Sequence, residues 1–433
     1  MTSEIKQRIE QINNGQVSEG YKETEFGIFP SDWVTDKKLK DIGSFDKGRG
    51  LPGDKMCDSG VPCVGYGDIY MKYNNFHFEK AENFVDEETA SESLPIKKGT
   101  LLFTGTGETA EEIGKCVCYN GDETIYAGGD IITFKTNEVN PLFLAYQQYQ
   151  SYSLAKKASF GQGHSVVHIH ADNLEKLNVA YPKSTAEQEK IAEILMKWDE
   201  AIVLYDRQIE KLKRLKLVCI KKMFPKKRSK VPEVRFKGFT KDWEQRKLGE
   251  LGTITTGNTP STSIPDYYSD DGIVWVTPTD ICENITFESA RKLSDLGQQV
   301  GRVVPKNTIL VTCIASIGKN TMLGNTGSFN QQINGLTPNE NKYDPYFLLT
   351  ESALWSAKMK GSAASGTMQI VNRTEFSELK TWLPSLIEQQ AIGAFFKQLD
   401  NLITLHQRKV EKIKTQRKAL QQYLLNGIVR VEV

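Results

Sequence analysis

Four places in this 433-residue chain combine residue types that could do chemistry. Phe103-Thr-Gly105-Thr-Gly107-Glu108 follows an apolar run, and glycines so spaced would let a backbone approach S-adenosylmethionine or a dinucleotide. Gly114-Lys115 and Gly318-Lys319 each set a lysine behind a glycine, but both lack the earlier glycine of a phosphate-binding loop. His164, His168 and His170 cluster, and His168 and His170 share a face if the segment is a strand. A zinc ion would want further ligands at fitting distance. No Ser/His/Asp or Cys/His spacing suggests a nucleophile, and no Asn/Asp-Pro-Pro-Tyr/Phe word for amino methylation occurs. The expectation is a strand-to-loop turn at 103–108 and a polar loop at 164–170. No catalytic residue, no metal and no cofactor bound by this chain is expected.

The elements that must position these residues come twice. Phe29-Pro-Ser-Asp-Trp33 recurs as Phe239-Thr-Lys-Asp-Trp243, an offset of 210. Leu39, Gly43 and Gly48 recur as Leu248, Gly252 and Gly257, and Gly114-Lys115 as Gly318-Lys319. Leu177 returns as Leu379. Glu187-Gln188, Ile191, Asp199, Ile202, Arg207 and Glu210 return at a constant offset of 201 as Glu388-Gln389, Ile392, Asp400, Ile403, Arg408 and Glu411. An ordered series of this kind describes two copies of one unit with kept boundaries and diverged interiors. The second copy has Thr312-Cys313-Ile314-Ala315-Ser316 in place of the glycine word, and Thr367-Met-Gln-Ile-Val-Asn372 in place of the histidines.

Each copy closes with a helical pattern. Ile191, Leu195, Trp198, Ile202, Tyr205, Ile209 and Leu212 alternate spacings of four and three. Ile392, Phe396, Leu399, Ile403, His406, Val410 and Ile413 repeat that register, so both segments carry a coiled-coil seam. Ser184 with Glu187, and Ser385 with Glu388, supply the helix starts. Pro225 stops the first near Phe224, and Asn426-Gly427 stops the second. Each helix is about 40 residues, roughly 60 Å long. Residues 206–230 carry eleven lysines and arginines against Asp206 and Glu210, a local charge of +9. Such a run is a solvated face or a phosphate-neutralising one.

Between these helices lie strand-like runs at 100–105, 130–135, 273–278 and 308–313, and helical stretches at 142–158 and 346–360. They predict two mixed α/β units, mostly strands. The boundaries expected are an N-terminal segment 1–24 with a short helix (Ile5, Ile9 and Ile12 at helical spacing), a first domain 25–183, a helix 184–224, a linker 225–234, a second domain 235–384 and a helix 385–426. The short helix is expected to dock near the other chain terminus. The length suits two or three domains. With 39% apolar and 25% charged residues the composition is that of a globular protein, and no run approaches the ~20 apolar residues of a membrane helix. The polar start is not read as a secretory signal. Seven cysteines without a disulfide pattern fit a reducing cytoplasm. A net charge of +1 means that any DNA-binding charge is local.

Tyr21-Lys22-x-Thr24-Glu25-Phe26-Gly27-x-x-Pro30-x-Asp32-Trp33 with Leu39-x-x-Ile42-Gly43 resembles the opening of a target-recognition domain in the specificity subunit of type I restriction–modification enzymes. Asp242-Trp243-x-x-x-x-Leu248-x-x-Leu251-Gly252 resembles the same element. Ser184-x-x-Glu187-Gln188-x-x-Ile191 and Pro384-Ser385-x-x-Glu388-Gln389-x-x-Ile392 resemble the start of that family's long helices, with Lys183 and the seam residue His406 as departures. The resemblance implies an α+β fold of two mixed α/β target-recognition domains separated by two long antiparallel coiled-coil helices. It implies a non-catalytic subunit of an adenine-N6 methyltransferase and endonuclease complex. Each domain would read one half of a bipartite, asymmetric site on double-stranded DNA, with the helices as a ruler. The partners implied are two modification subunits using S-adenosylmethionine, and restriction subunits using ATP and magnesium, in the cytoplasm. Candidates for DNA contact, by residue type in glycine-rich loops, are Lys47, Arg49, Tyr66, Lys115, Gln162 and His164 in the first copy. In the second they are Asn258, Thr259, Tyr267, Tyr268, Lys319, Asn320, Asn330, Gln331, Gln332 and Arg373. The alternative is a protein–protein scaffold whose duplicated domains never touch DNA.

Overall fold

The computed structural model describes residues 3–51, 53–73, 76–226, 229–314, 316–364 and 370–432. Positions 227 and 228 of the linker, and 367–369 of the segment matched to the histidine cluster, lie outside the described residues. The chain divides into two compact units that do not follow chain order. One is Met1–Leu204 with Val410–Val433, and the other is Tyr205–Lys409. Among the described residues no helix is long and apolar enough to cross a membrane.

Both units are built on the same five-stranded sheet. In the first, its order is Gly43–Lys47, Ile131–Thr136, Thr100–Thr104, Cys116–Tyr119, His77–Phe78. In the second it is Gly252–Thr256, Ile333–Pro338, Ile309–Thr312, Asn320–Leu323, Ile285–Thr286. In each, neighbours run antiparallel except the last pair, which is parallel. The central strand is buried on both faces, so its period of two sorts residues between two cores. Leu101 and Phe103 join Trp33, Phe143 and Tyr146, whereas Leu102 faces Val64, Ile96 and Ile125 of a smaller companion sheet. Ile309 and Val311 join Trp243, Phe347 and Phe376 in the same way, with Leu310 on the Val274–Val276 side. The repeated Gly43 and Gly252 sit where sheet backbone passes too close for a side chain. A Cβ would lie 2.3 Å from the Lys135 carbonyl oxygen and 1.9 Å from that of Thr337.

The stretch expected as one helix at 142–158 is two helices, Pro141–Gln147 and Ser151–Phe160, whereas its counterpart is a single helix, Pro345–Ala364. The break follows from buried amides. The backbone tightens to three-residue bonds at Tyr149 and Gln150, the Gln147 amide donates to the Ala180 carbonyl, and Gln148 Oε1 accepts from Ser153. In the second unit Thr350 and Ser352 return their hydroxyls to carbonyls of their own helix, which continues.

The long helices run Thr185–Met223 and Leu386–Leu425. In the first unit Ile191 and Leu195 share a core with Leu424 and Leu425, while Asp199 meets Arg417, so the two stretches are antiparallel. In the second unit Phe224 packs on Phe396 and Lys216 meets Asp400, again antiparallel. Every expected seam residue is buried or half-buried, and Tyr205 and His406 face each other with ring centroids 5.8 Å apart. The repeated words of the sequence are the joints of this arrangement. Gln188 donates to the Pro182 carbonyl and accepts from the Asn140 amide, and Gln389 donates to Pro384 and accepts from Asp344. Glu187 takes both arms of Arg430, and Glu388 takes both arms of Arg235. Both arginines belong to the segment beyond the end of the opposite helix. Arg430 also bridges to Asp32, and Arg235 donates to the Lys241 carbonyl. The short helix Ser3–Asn13 joins this end of the first unit, where Arg8 donates to the Ile428 carbonyl.

Asp199 and Asp400 bind each domain into its helix pair. Asp199 accepts from Tyr146 at 2.7 Å and from Arg417 at 2.8 and 3.1 Å, and the guanidinium lies 4.2 Å from the Phe76 ring centre. Asp400 accepts from Tyr346 at 2.9 Å and pairs with Lys216 at 2.6 Å. Burial and the neighbouring carboxylate push both tyrosine hydroxyls well above their ordinary range. Arg417→Ala should therefore leave Asp199 buried without its cation and cost about 3–5 kcal/mol, read by chemical denaturation. The less enclosed Lys216→Ala should cost less, and equal losses would contradict this ordering.

Glu351 is buried, with Oε1 accepting from the Trp382 amide and Oε2 without a partner. Burial pushes its carboxyl up to about 8. The unfolded chain releases that proton at ordinary carboxyl pH and the folded chain holds it. Stability from this group is thus full at acid pH and lost as pH rises to about 8. Glu351→Gln should melt higher than the parent at pH 8, with the gain shrinking toward pH 5. A gain independent of pH would refute the protonated carboxyl.

Candidate nucleic-acid interface

In the first unit the loops that carry the candidate residues meet at one end of the five-stranded sheet. Thr106–Gly107 pairs antiparallel with Val167–His168, and Gln162 and His168 exchange backbone hydrogen bonds, so the histidine-bearing segment is a short ladder. His168 Nδ1 lies 3.2 Å from Thr106 Oγ1. His170 stands at the N-terminus of the helix Ala171–Leu174. Among the described residues no three histidines, cysteines or carboxylates form a metal-sized group.

Two concavities flank this ladder and share Thr106. The smaller, about 140 Å³, brings Lys47, Asp130, His168 and His170 together. The larger, about 1110 Å³, is walled by Tyr66, Tyr70, Met71, Lys115 and Lys157, with Glu108, Glu111 and Glu112 among its lining. Tyr66 and Met71 are exposed there. Lys115 donates to the Tyr70 carbonyl and Lys157 to the Gly114 carbonyl. Burial holds both lysines below their ordinary range, Lys157 at about 8. Arg49 and His164 are exposed loop residues.

The second unit brings its candidates to the corresponding edge, but spends many of their hydrogen bonds internally. Asn258 donates to the Val300 carbonyl and accepts from the Arg302 amide, while its own carbonyl takes the Trp275 indole N–H. Asn320 donates to Ser352, and Asn330 exchanges bonds with Gln332. Tyr268 donates to the Pro260 carbonyl beneath Arg291. These residues shape loops. Thr259 bonded to Gln331, half-buried Tyr267, Lys319, and Arg373 at the start of the helix Arg373–Glu378 leave surface for a partner. Arg291 and Arg302 were not signalled by the sequence, because neither lies in a repeated word.

A family model described as the type I restriction modification DNA specificity domain matches this chain twice, over residues 30–214 and 240–415. The chain is 26% identical over 439 residues to a putative type I restriction enzyme MjaX specificity subunit from Methanocaldococcus jannaschii, covering 96% of this chain and 97% of that protein. It is 28% identical over 195 residues to the type I restriction enzyme HindI specificity subunit from Haemophilus influenzae, covering 43% of this chain and 41% of that one. Among solved structures, the S subunit of a type I restriction–modification system from M. genitalium shares the fold at a TM-score of 0.61 and 14% identity, covering 93% of this chain and 96% of that chain. A chain from a study of complex assembly and conformational transition in the type I R-M system aligns at 0.54, also at 14% identity, covering 93% and 99%. Matched in both repeats and aligned nearly end to end with such relatives, the chain belongs to the specificity subunits of type I restriction–modification enzymes.

Proposed function

We propose that each domain reads one half of a bipartite, asymmetric DNA site, and that the paired helices set the distance between the halves. The observation that carries this reading is the same scaffold bearing different loops. The two sheets and the joints repeat, and so does the bridge beyond the central strand, Thr106 to His168 and Ile314 to Ile370. The residues on that bridge differ, and after the repeated glycines Gly48 and Gly257 an exposed Arg49 stands where the second unit has the bracketed Asn258. A repeated frame with unlike loops suits two unlike half-sites held at a geometric interval. Catalysis belongs to the partners in this reading. Two modification subunits would supply S-adenosylmethionine and flip the target adenine out of the duplex for N6 methylation. Restriction subunits would bring ATP, magnesium and cleavage. Leu204 and Leu405, equivalent positions and both exposed, offer two copies of one modification subunit the same foothold.

The test exchanges residues 244–383 for those of another specificity subunit. This keeps the Arg235–Glu388 joint. Sequencing of methylated adenine in a host carrying the partner subunits should show one half of the motif changed and the other half and the gap kept. Changes in both halves would overturn the modular reading. Inserting one heptad within 190–215 should lengthen the gap and leave both halves as they were.

A further inference from the structure

Lys115 and Lys319 hold one position in two domains whose surroundings differ. Each follows a glycine in the left-handed region, Gly114 at φ +67° and Gly318 at φ +80°. Each gives its backbone N–H to the threonine that ends the central strand, Thr104 at 3.0 Å and Thr312 at 2.9 Å. Each sends its ammonium to a carbonyl in the segment beyond a companion-sheet strand, Tyr70 at 3.3 Å and Pro278 at 3.2 Å. Those two segments are built alike, since Asp68 accepts from the Gly65 amide and Asp280 from the Thr277 amide, both at 2.8 Å. Among the described residues neither lysine is recorded in an ion pair, and a carbonyl occupies only one of the three N–H groups of an ammonium.

The residues around this device diverge. In the register set by Gly65 and Thr277, and by Thr104 and Thr312, the first domain has Tyr66 and Thr106 where the second has Pro278 and Ile314. Loops that differ can read different bases. The two bracing carbonyls differ in register, but a lysine held at one backbone position in two readers of different sequences is not what sets those sequences apart, and the feature common to any two half-sites is the phosphodiester backbone. We propose that Lys115 and Lys319 are equivalent phosphate anchors, each ammonium seating one half-site's backbone against its domain without reading a base. The glycine turn and the carbonyl brace hold the ammonium at the end of the same strand in both domains, so the duplex is seated on that strand end and the variable loops then face the base edges. This rests on the bipartite reading above.

The test uses the full chain assembled with its modification subunits and two labelled duplexes, one with the methylated motif and one scrambled. Affinity is measured against salt for the parent and for Lys115→Gln, Lys319→Gln and the double variant. Each single substitution should flatten the log–log salt dependence by about 0.9 on both duplexes, the double by about twice that. Both duplexes should weaken by the same factor, and the methylated motif should stay unchanged. Lys115→Arg and Lys319→Arg should keep the parent's slope. An unchanged slope in the glutamine variants, a motif relaxed in one half, or arginine variants as impaired as the glutamine ones would overturn the anchors. A parent complex that does not distinguish the two duplexes would instead overturn the bipartite reading itself.

Discussion

A carboxylate buried in an apolar helix seam must meet a cation, and that requirement organises each unit. Asp199 has Arg417 and Asp400 has Lys216, and in both cases a tyrosine from the domain completes the carboxylate's shell. Leucines at these positions would bury more apolar area, but an apolar seam tolerates sliding by a turn. A buried ion pair with directional bonds does not, because a shifted register strands two charges in a dry place. The domain tyrosine extends the constraint from the helices to the sheet behind them.

The two joints solve the same problem with different chemistry. Arg417 presents a planar fork to Asp199 and stacks over Phe76, so it fixes angle as well as distance. Lys216 is a point charge on a flexible stem. The same division appears at the helix starts, where Arg430 spans Glu187 and Asp32 while Arg235 spans Glu388 and a backbone carbonyl. The two halves thus share a frame and differ in the chemistry of its joints.

Much of this was legible in the sequence. Repeated words mark joints because joints tolerate little change. Trp33 and Trp243 fill the two cores, and Glu187-Gln188 and Glu388-Gln389 tie each helix to its domain. The seam spacing marked the helix faces, but one more step of the same rhythm lands on Lys216 and Arg417, polar residues that an apolar pattern passes over. Their partners were visible as the repeated aspartates. The break at Gln148–Gln150 was hidden because glutamine suits a helix interior, and only tertiary burial of those amides ends it. The interface was least legible. Asn258 and Asn330 have the types expected of base readers, yet they hold loops together, and only their internal hydrogen bonds separate the two uses.

The segment Leu424–Arg430 carries a consequence for biosynthesis. Leu424 and Leu425 lie in the same core as Trp33 and Phe143, and a side chain at Gly427 would strike Pro30. The hydrophobic interior begun by residues near 30 is therefore closed by residues nearly four hundred positions later. On the ribosome, the unit formed by Tyr205–Lys409 has all its pieces in one contiguous stretch and can close as it emerges, while the one translated first must wait half-finished for its last strip of wall.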